Sequence, residues 1–473
     1  MRAHLPAVLI LVGVAALASC TSASRVVTRD AMAHDVRKLG RLLRTTHPAV
    51  GLTVRPGALD TLATGIVAEL PPRATVAEFA SLAQPLIDTL RGGHVLLYPR
   101  GLPWRSTLGR TKRLFPLRLQ RLPTGEIYVA GVRTGADSAL VGRRVTRLEG
   151  YPIDSLVREA AKFKGGSDGT DLSGSYDRAT ADLSAYLNWQ LGQRDSFRVS
   201  LAGAVDTTIL LAAVDERDLP KAPPTRPINY GFDSVRRIAV VDLNSFSGYD
   251  PYNLLYPLVL RRVFAKAHRD SARALLLDLR GNGGGRSANV RRVLSYLVRA
   301  RTPVYERWDF PASGWWRGGL PMKVATLPAM LLGRGERRRY GRLIRNDAKP
   351  RRRAFAGPIT VLIDGGTFSA AAVTAAVLKS SGDALLLGQP AGGNYHETYA
   401  GLFTTRSLRR TGMQVRVPHF RIAVAVEGAR QPFGKTLQPD VALPYTLDNV
   451  LDPRDRMLLQ ALTAMDSALR GVR

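Results

Sequence analysis

Apolar positions recur at helical spacing three times near the start of the chain. Met32, Val36, Leu39, Leu42 and Leu43 mark the first stretch, within 30–46, and residues 59–70 and 76–90 repeat the pattern. The third stretch runs into Arg91-Gly-Gly93, a usual helix end, and His94-Val-Leu-Leu-Tyr98 follows with strand character. The spacing thus predicts a small helical domain and puts His94 at a helix-to-strand junction. Residues 105–215 have another rhythm. Short strands are expected over 117–119 and 127–130 around Thr124-Gly, then a helix over about 153–163, one helix near 176–191, and a hairpin of 197–201 with 206–213. Four prolines in 220–227 read as a linker. From Tyr230 strands and helices alternate: strands over 237–243, 274–279, 359–363 and 384–387, and helices over 252–267, 288–300 and 369–381. That alternation predicts a layered α/β core. Strands near 402–407, 414–418, 422–426 and 439–443 and a helix over 455–469 complete it.

Composition fits a folded protein: 473 residues, 45% apolar and 22% charged. The net charge of +30 is unusual, and its arginines are spread through the chain. No zinc-finger, basic-zipper or RNA-recognition signature accompanies that charge, so no nucleic-acid partner is expected. An anionic membrane surface or wall polymer is the expected consequence. Arg2 followed by the apolar run Leu5–Leu17 and then Leu17-Ala-Ser-Cys20 resembles a bacterial lipoprotein signal. Cys20 is the single cysteine, which excludes a disulfide within the chain. The resemblance implies a signal peptide over 1–19, lipid modification at Cys20, a tether over 20–25, and an exported, membrane-anchored protein of the cell envelope.

Two Gly-rich features follow strands of the core. The first, Asp278-Leu-Arg-Gly-Asn-Gly-Gly-Gly285, fails the dinucleotide and Walker patterns and leaves a turn of exposed N–H groups. The second, Asp364-Gly-Gly-Thr-Phe-Ser369, places a serine where a strand hands over to a helix. That serine is either a helix cap or a nucleophile beside free N–H groups. With Leu387-Gly-Gln-Pro-Ala-Gly-Gly393 and Leu437-Gln-Pro-Asp-Val441 these motifs occur in a fixed order. Together they resemble the tail-specific, or C-terminal processing, serine peptidase family, whose core has the ClpP/crotonase-like fold. The resemblance implies a helical domain over 26–104, a PDZ-like β-rich region over 105–219, a linker over 220–229 and a peptidase core over 230–473. It also implies that Ser369 is the nucleophile of a serine-type endopeptidase, with an oxyanion hole from the N–H of Ala370 and that of Gly283 or Gly284.

The general base is where this sequence departs from part of the family. The branch with a Ser-Lys pair carries its lysine where this chain reads Gly392-Gly-Asn394, and Lys379 lies far down the nucleophile's own helix. The tricorn-type branch supplies a histidine from a helix–Gly/Ser-x-His–strand setting, which Leu90-Arg-Gly-Gly-His94-Val matches. That branch also has a serine before the histidine, where Gly93 stands here, and a downstream glutamate, for which Glu427 is the first choice and Glu397 the second. Asn394 and His396 are expected to line the site. His34, His47, His268 and His419 have no partner evident in the sequence. Without a His-Glu-x-x-His or paired cysteines, neither a metal nor a cofactor is implied. Two rival expectations stand beside the peptidase. One is a catalytically inactive, peptide-binding lipoprotein, suggested by the missing lysine and by Gly93. The other is a basic scaffold for anionic polymers. The insertion at 307–356, with Trp308, Trp315, Trp316 and the Gly335–Tyr340 and Lys349–Arg353 basic patches, is expected to be a lid, a docking surface or a solvated loop.

Overall fold

The computed structural model describes residues 23–100, 113–310 and 347–471, except 134, 170, 204, 221–224 and 251–252, together with 324 and 327. Cys20, Trp315, Trp316 and the 335–340 patch therefore lie outside the described residues.

The first helix, α1 (Arg29–Thr46), is capped by Thr28, whose side chain accepts from the Ala31 N–H. It buries Met32, Val36, Leu39, Leu42 and Leu43, the stripe that predicted it. α2 (Ala58–Glu69) and α3 (Val76–Asp88) pack on it, and α3 starts from a Thr75/Glu78 capping box. The chain then enters β1 (Leu96–Pro99), which begins two residues after His94.

Strands β2 (Leu117–Arg121), β3 (Ile127–Val132) and β4 (Arg144–Leu148), helices α4 (Ile153–Lys162), α5 (Ser173–Ala181) and α6 (Leu183–Leu191), and the hairpin β5 (Ser196–Leu201) and β6 (Thr207–Ala212) make the middle region. Its sheet has the order β6-β5-β4-β3-β2. The single helix expected near 176–191 is two, broken at Asp182, which stands at φ −107° and ψ 23° between them.

The α/β core begins with β7 (Ile228–Asp233), inside the expected linker, paired antiparallel with β8 (Ile238–Leu243). α7 (Leu255–Arg269), β9 (Ala274–Asp278), α8 (Ser287–Leu294), β10 (Tyr305–Asp309), β11 (Ile359–Ile363), α9 (Ala370–Ser381) and β12 (Ala384–Gly388) follow. The long strands β13 (Glu397–Leu408) and β14 (Met413–Val424), then β15 (Val441–Ala442) and α10 (Arg456–Gly471), close the chain. The main sheet runs β7-β8-β9-β11-β12-β15, parallel from β8 onward. Every residue of β9 and β11 is buried, as unbroken apolar runs require when helices cover both faces of a parallel sheet. α9 is buried almost all round, from Ala370 to Leu378.

A second sheet joins the two ends of the molecule. β14 pairs with β13, with β10 and with β1, so the strand that follows His94 hydrogen-bonds to a strand of the core. One hydrophobic cluster accordingly contains Leu39, Leu43 and Phe79 of the helices, Leu97 of β1, and Leu408, Met413, Val415 and Val417 of the β13–β14 hairpin. The sequence suggested two strands around Pro418. The structure has one, because Pro418 faces Phe403 beside a register shift between Ala400 and Phe403, where a missing N–H is tolerated. Trp308 is buried in β10 rather than in a solvated insertion.

The hairpin tip is also held by Asp35 of α1, which is fully buried and accepts from the Thr411 N–H and Oγ1 at 2.8 and 2.9 Å. Asp35→Ala strands those donors and should lower unfolding stability by about 3 kcal/mol, against about 1 kcal/mol for Asp35→Asn. Urea unfolding of the two variants measures the difference.

Candidate active site

The two Gly-rich turns leave the C-terminal ends of adjacent parallel strands, β9 and β11, where α/β sheets commonly present ligand sites. Hydrogen bonds stitch them together. Asp364 Oδ1 accepts from the Gly281, Gly366 and Thr367 N–H groups at 2.8, 2.9 and 3.1 Å. The Phe368 N–H donates to the Asn282 carbonyl at 2.9 Å, and Thr367 Oγ1 donates to the Leu279 carbonyl at 2.9 Å. Burial pushes the Asp364 carboxyl above its ordinary range.

Ser369 is half-buried between Phe368 and α9 and holds φ 55° and ψ −123°, a conformation costly for any residue with a Cβ. Such a strained strand-to-helix turn is the backbone of a nucleophile elbow. Its side chain makes no capping hydrogen bond, so the helix-cap alternative does not describe it. Gly284, at φ 97°, lies against it; a Cβ there would sit 2.8 Å from Ser369 Cβ and 2.9 Å from the Ala370 nitrogen. The Gly284 N–H is taken by Asn282 Oδ1 at 2.8 Å. Gly283 is exposed, and among the described residues its N–H meets no acceptor. Of the two glycines, Gly283 therefore has the free donor to set beside Ala370.

His94 reaches the same place from the helical domain. Its ring lies 4.6 Å from that of Phe368, the residue before Ser369, and 5.9 Å from that of Phe403 on β13. Each phenyl ring carries an arginine, Arg178 Cζ 5.1 Å from Phe368 and Arg416 Cζ 3.6 Å from Phe403. Desolvation, then Arg416 and Arg178, lowers the His94 pKa to about 3, so the ring is neutral at neutral pH. No hydrogen bond joins His94 to Ser369, and the buried His94 Nδ1 has no hydrogen-bond partner. His94 thus packs on the residue next to Ser369 without a hydrogen bond to Ser369 itself.

The remaining expected residues divide. Lys379 is ion-paired with Asp440 at 2.8 Å near the far end of α9. Glu427 is not brought to His94: it is exposed, paired with Arg430 at 2.8 Å, and its N–H donates to Ser380 Oγ, about 16 Å down the helix from Ser369. Glu397 is buried, but Arg421 Nε at 2.5 Å and Tyr399 Oη at 2.9 Å occupy its oxygens. Asn394 is buried beside the site, accepting from the His396 N–H at 2.7 Å, while the His396 ring packs on Tyr395 and Phe433. The histidines without sequence partners have them in space: His34 with Asp35, His47 with the Ala49 N–H and the Tyr399 ring, His268 with the Arg353 carbonyl, His419 with Thr404.

Sequence reasoning missed the loop over 165–169. The Gly166 N–H donates to the Gly93 carbonyl at 3.0 Å and the Gly169 N–H to the Arg91 carbonyl at 2.9 Å. This loop leaves no room for a side chain at Gly93. A Cβ at residue 93 would lie 2.6 Å from the Ser167 carbonyl oxygen and 2.8 Å from the Gly166 nitrogen. The run Lys164-Gly-Gly-Ser-Asp-Gly169 was the only available signal, as glycines often mark close backbone approach.

Residues 237–442 match the family model described as Peptidase family S41. Among solved structures, mature CPAF is similar at 14% identity and TM-score 0.63, covering 93% of this chain and 96% of that one. Mature CPAF complexed with lactacystin gives 13% identity and TM-score 0.62, covering 93% and 98%. The photosystem II D1 C-terminal processing protease gives 16% identity, a TM-score of 0.44, and coverage of 89% and 96%. No curated protein sequence matches the chain.

A serine at position 93 should harm this protein. Gly93→Ser forces the 165–169 loop off the His94 loop, lowering stability by about 2 kcal/mol. Turnover should fall at least about tenfold, and thermal melts with peptide-hydrolysis rates test both effects.

Proposed function

We propose that this chain, whose residues 237–442 match the family model described as Peptidase family S41, is a serine endopeptidase in which Ser369 attacks the scissile carbonyl and His94 takes its proton. The observation that carries the proposal is the strained Ser369 backbone, uncapped and meeting both the Gly283–Gly284 turn and the Phe368 neighbour of His94. A neutral imidazole is ready to accept the serine proton, and the Gly283 and Ala370 N–H groups would hold the developing oxyanion. The tetrahedral intermediate then collapses as the imidazolium returns the proton to the leaving amine. Water hydrolyses the acyl-enzyme by the same groups in reverse.

A cavity of about 800 Å³ supports a peptide substrate. It opens between Gln120 and Arg121 of the middle sheet, Tyr176 and Arg178 of α5, and the Gly281 and Gly366 turns. A chain end paired with an edge of the PDZ-like sheet would have a route from there to Ser369. For the cell envelope, the proposed lipid anchor at Cys20 is supported by the sequence before it. A groove lined by Arg29, Arg37, Lys38, Arg41 and Arg410, with Asp30 as its one carboxylate, would suit an anionic surface. Metabolic labelling with a radioactive fatty acid tests the anchor, and Cys20→Ser should abolish the label.

A fluorophosphonate probe should label the wild-type chain and leave Ser369→Ala unlabelled. Equal labelling of both, or none of either, removes the nucleophile assignment, and absent labelling favours the inactive peptide-binding alternative. Ser369→Gly should be inactive yet more stable than wild type by about 1 kcal/mol, since glycine accepts the strained φ. Because the His94 pKa is depressed, its neutral, competent form persists as pH falls. The plot of kcat/KM should show no loss with a midpoint near 6.5 that belongs to His94, only one near its lowered value of about 3. A fall centred near pH 6.5 that survives in Asp168→Asn, whose parent carboxyl also titrates at about 7, would show an ordinary histidine.

A further inference from the structure

Asp168 lies in the middle region, yet its polar atoms serve three other segments. Its Oδ1 accepts from the Gly93 N–H at 2.8 Å, one residue before His94. Its Oδ2 accepts from Thr398 Oγ1 of β13 at 3.0 Å, and its own N–H donates to the Gly392 carbonyl at 2.8 Å. The next residue of that loop, Gly393, donates to the Thr367 carbonyl at 3.1 Å. A Cβ on Gly393 would lie 3.4 Å from the Ser369 nitrogen and 2.3 Å from the Ala372 side chain. An unbroken path therefore runs from the base to the nucleophile through Gly93, Asp168, Gly392, Gly393 and Thr367. Asp168 is 1% exposed, and among the described residues no arginine or lysine is hydrogen-bonded to it. A carboxylate buried without a hydrogen-bonded cation is costly, so much of that cost must be met by the bonds it accepts.

The geometry points to Asp168 as a positioning residue that fixes the separation of the His94 and Ser369 loops. It touches neither the reacting hydroxyl nor the imidazole; it acts through the backbone of Gly93 and of Gly392. The inference rests on Ser369 and His94 being the reacting pair. Burial lifts the Asp168 pKa to about 7, with Glu397 raising it further and Arg178 opposing. The site thus accommodates a neutral side chain, and asparagine retains the two side-chain roles. Its carbonyl accepts from Gly93, and its amide donates to the Thr398 hydroxyl, which then acts as acceptor.

The test compares the full-length chain with Asp168→Ala, Asp168→Asn, Thr398→Val and His94→Ala in steady-state peptide hydrolysis, each variant checked for folding by thermal melt. Asp168→Ala should lose about 100-fold in kcat, the scale of an ångström of misplacement, with KM changed less than about threefold. Asp168→Asn should recover kcat to within about threefold of wild type. Thr398→Val, which removes one bond and keeps the fold, should fall about fivefold in kcat. Should Asp168→Ala fail to fold, the Thr398→Val and Asp168→Asn results decide. Wild-type kcat in Asp168→Ala or Thr398→Val, a loss confined to KM, or Asp168→Asn as impaired as the alanine variant would overturn the assignment. If His94→Ala loses activity while Asp168→Ala keeps it, only the positioning role fails; if His94→Ala is fully active, the pair itself fails.

Discussion

Four residue pairs, from Leu96–Arg416 to Pro99–Met413, join β1 to β14, and the site's geometry descends from that pairing. A strand register is discrete: slipping by one residue would turn Leu97 out of the shared core and swing the His94 loop with it. His94, the proposed base, therefore comes from a segment far away in sequence, next to a strand held by the core. The same hairpin carries Phe403 and Arg416, which pack around the imidazole, and Thr398, which binds Asp168. The helical domain and the core have one hydrophobic cluster in common, so separating them would expose Leu97, Val415 and Val417 together with the faces of α1 and α3. Their docking is part of folding.

On top of that frame, closeness is achieved with backbone. Gly93 meets Ser167, Gly284 meets Ser369, Gly392 meets Gly166 and Gly365, and each approach leaves no room for a Cβ. Loops in such contact are positioned by peptide hydrogen bonds, whose geometry tolerates little drift. That rigidity is what allows the Ser369 backbone to remain in an unfavourable conformation. Its strain is offset by the Phe368 bond to Asn282 and the Gly393 bond to Thr367, made by the two residues just before it.

Much of this was legible in the chain and some was not, for definite reasons. The apolar run Ile359–Ile363 and the alternation around it gave the buried parallel sheet, since periodicity and composition are local properties. Ser369 was visible from its strand–Gly-Gly–helix setting, and His94 from the glycines that end α3. Local signals misled where long-range pairing overrode them: Pro418 suggested a break, but the bulge opposite accommodates it. Asp168 was invisible because an Asp in a Gly-rich turn usually serves its own turn. Only the folded chain shows that its bonds go to Gly93, Gly392 and Thr398. The family resemblance suggested a downstream glutamate, with Glu427 as first choice, whereas the chain after β14 places Glu427 beside the far end of α9.

The electrostatics of the pair then constrain how the proposed chemistry would proceed. The imidazole lies near two guanidinium groups and is desolvated, so protonating it in the empty site is unfavourable. As a free-standing base it is weak. During attack, however, the proton arrives together with a negative charge on the substrate oxygen, beside the Gly283 and Ala370 N–H groups. The new cation at His94 and the new anion in the hole form as a pair a few ångströms apart in a region of low dielectric, where their attraction is strong. Arg178 donates to the Gly366 carbonyl at 3.0 Å, on the turn that leads to Ser369. The repulsion of the imidazolium by Arg416 and Arg178 persists in that state, and the nearby anion is what offsets it. A base of low proton affinity is in that case selective for the transition state, and binding a peptide across the cavity is what would make it competent.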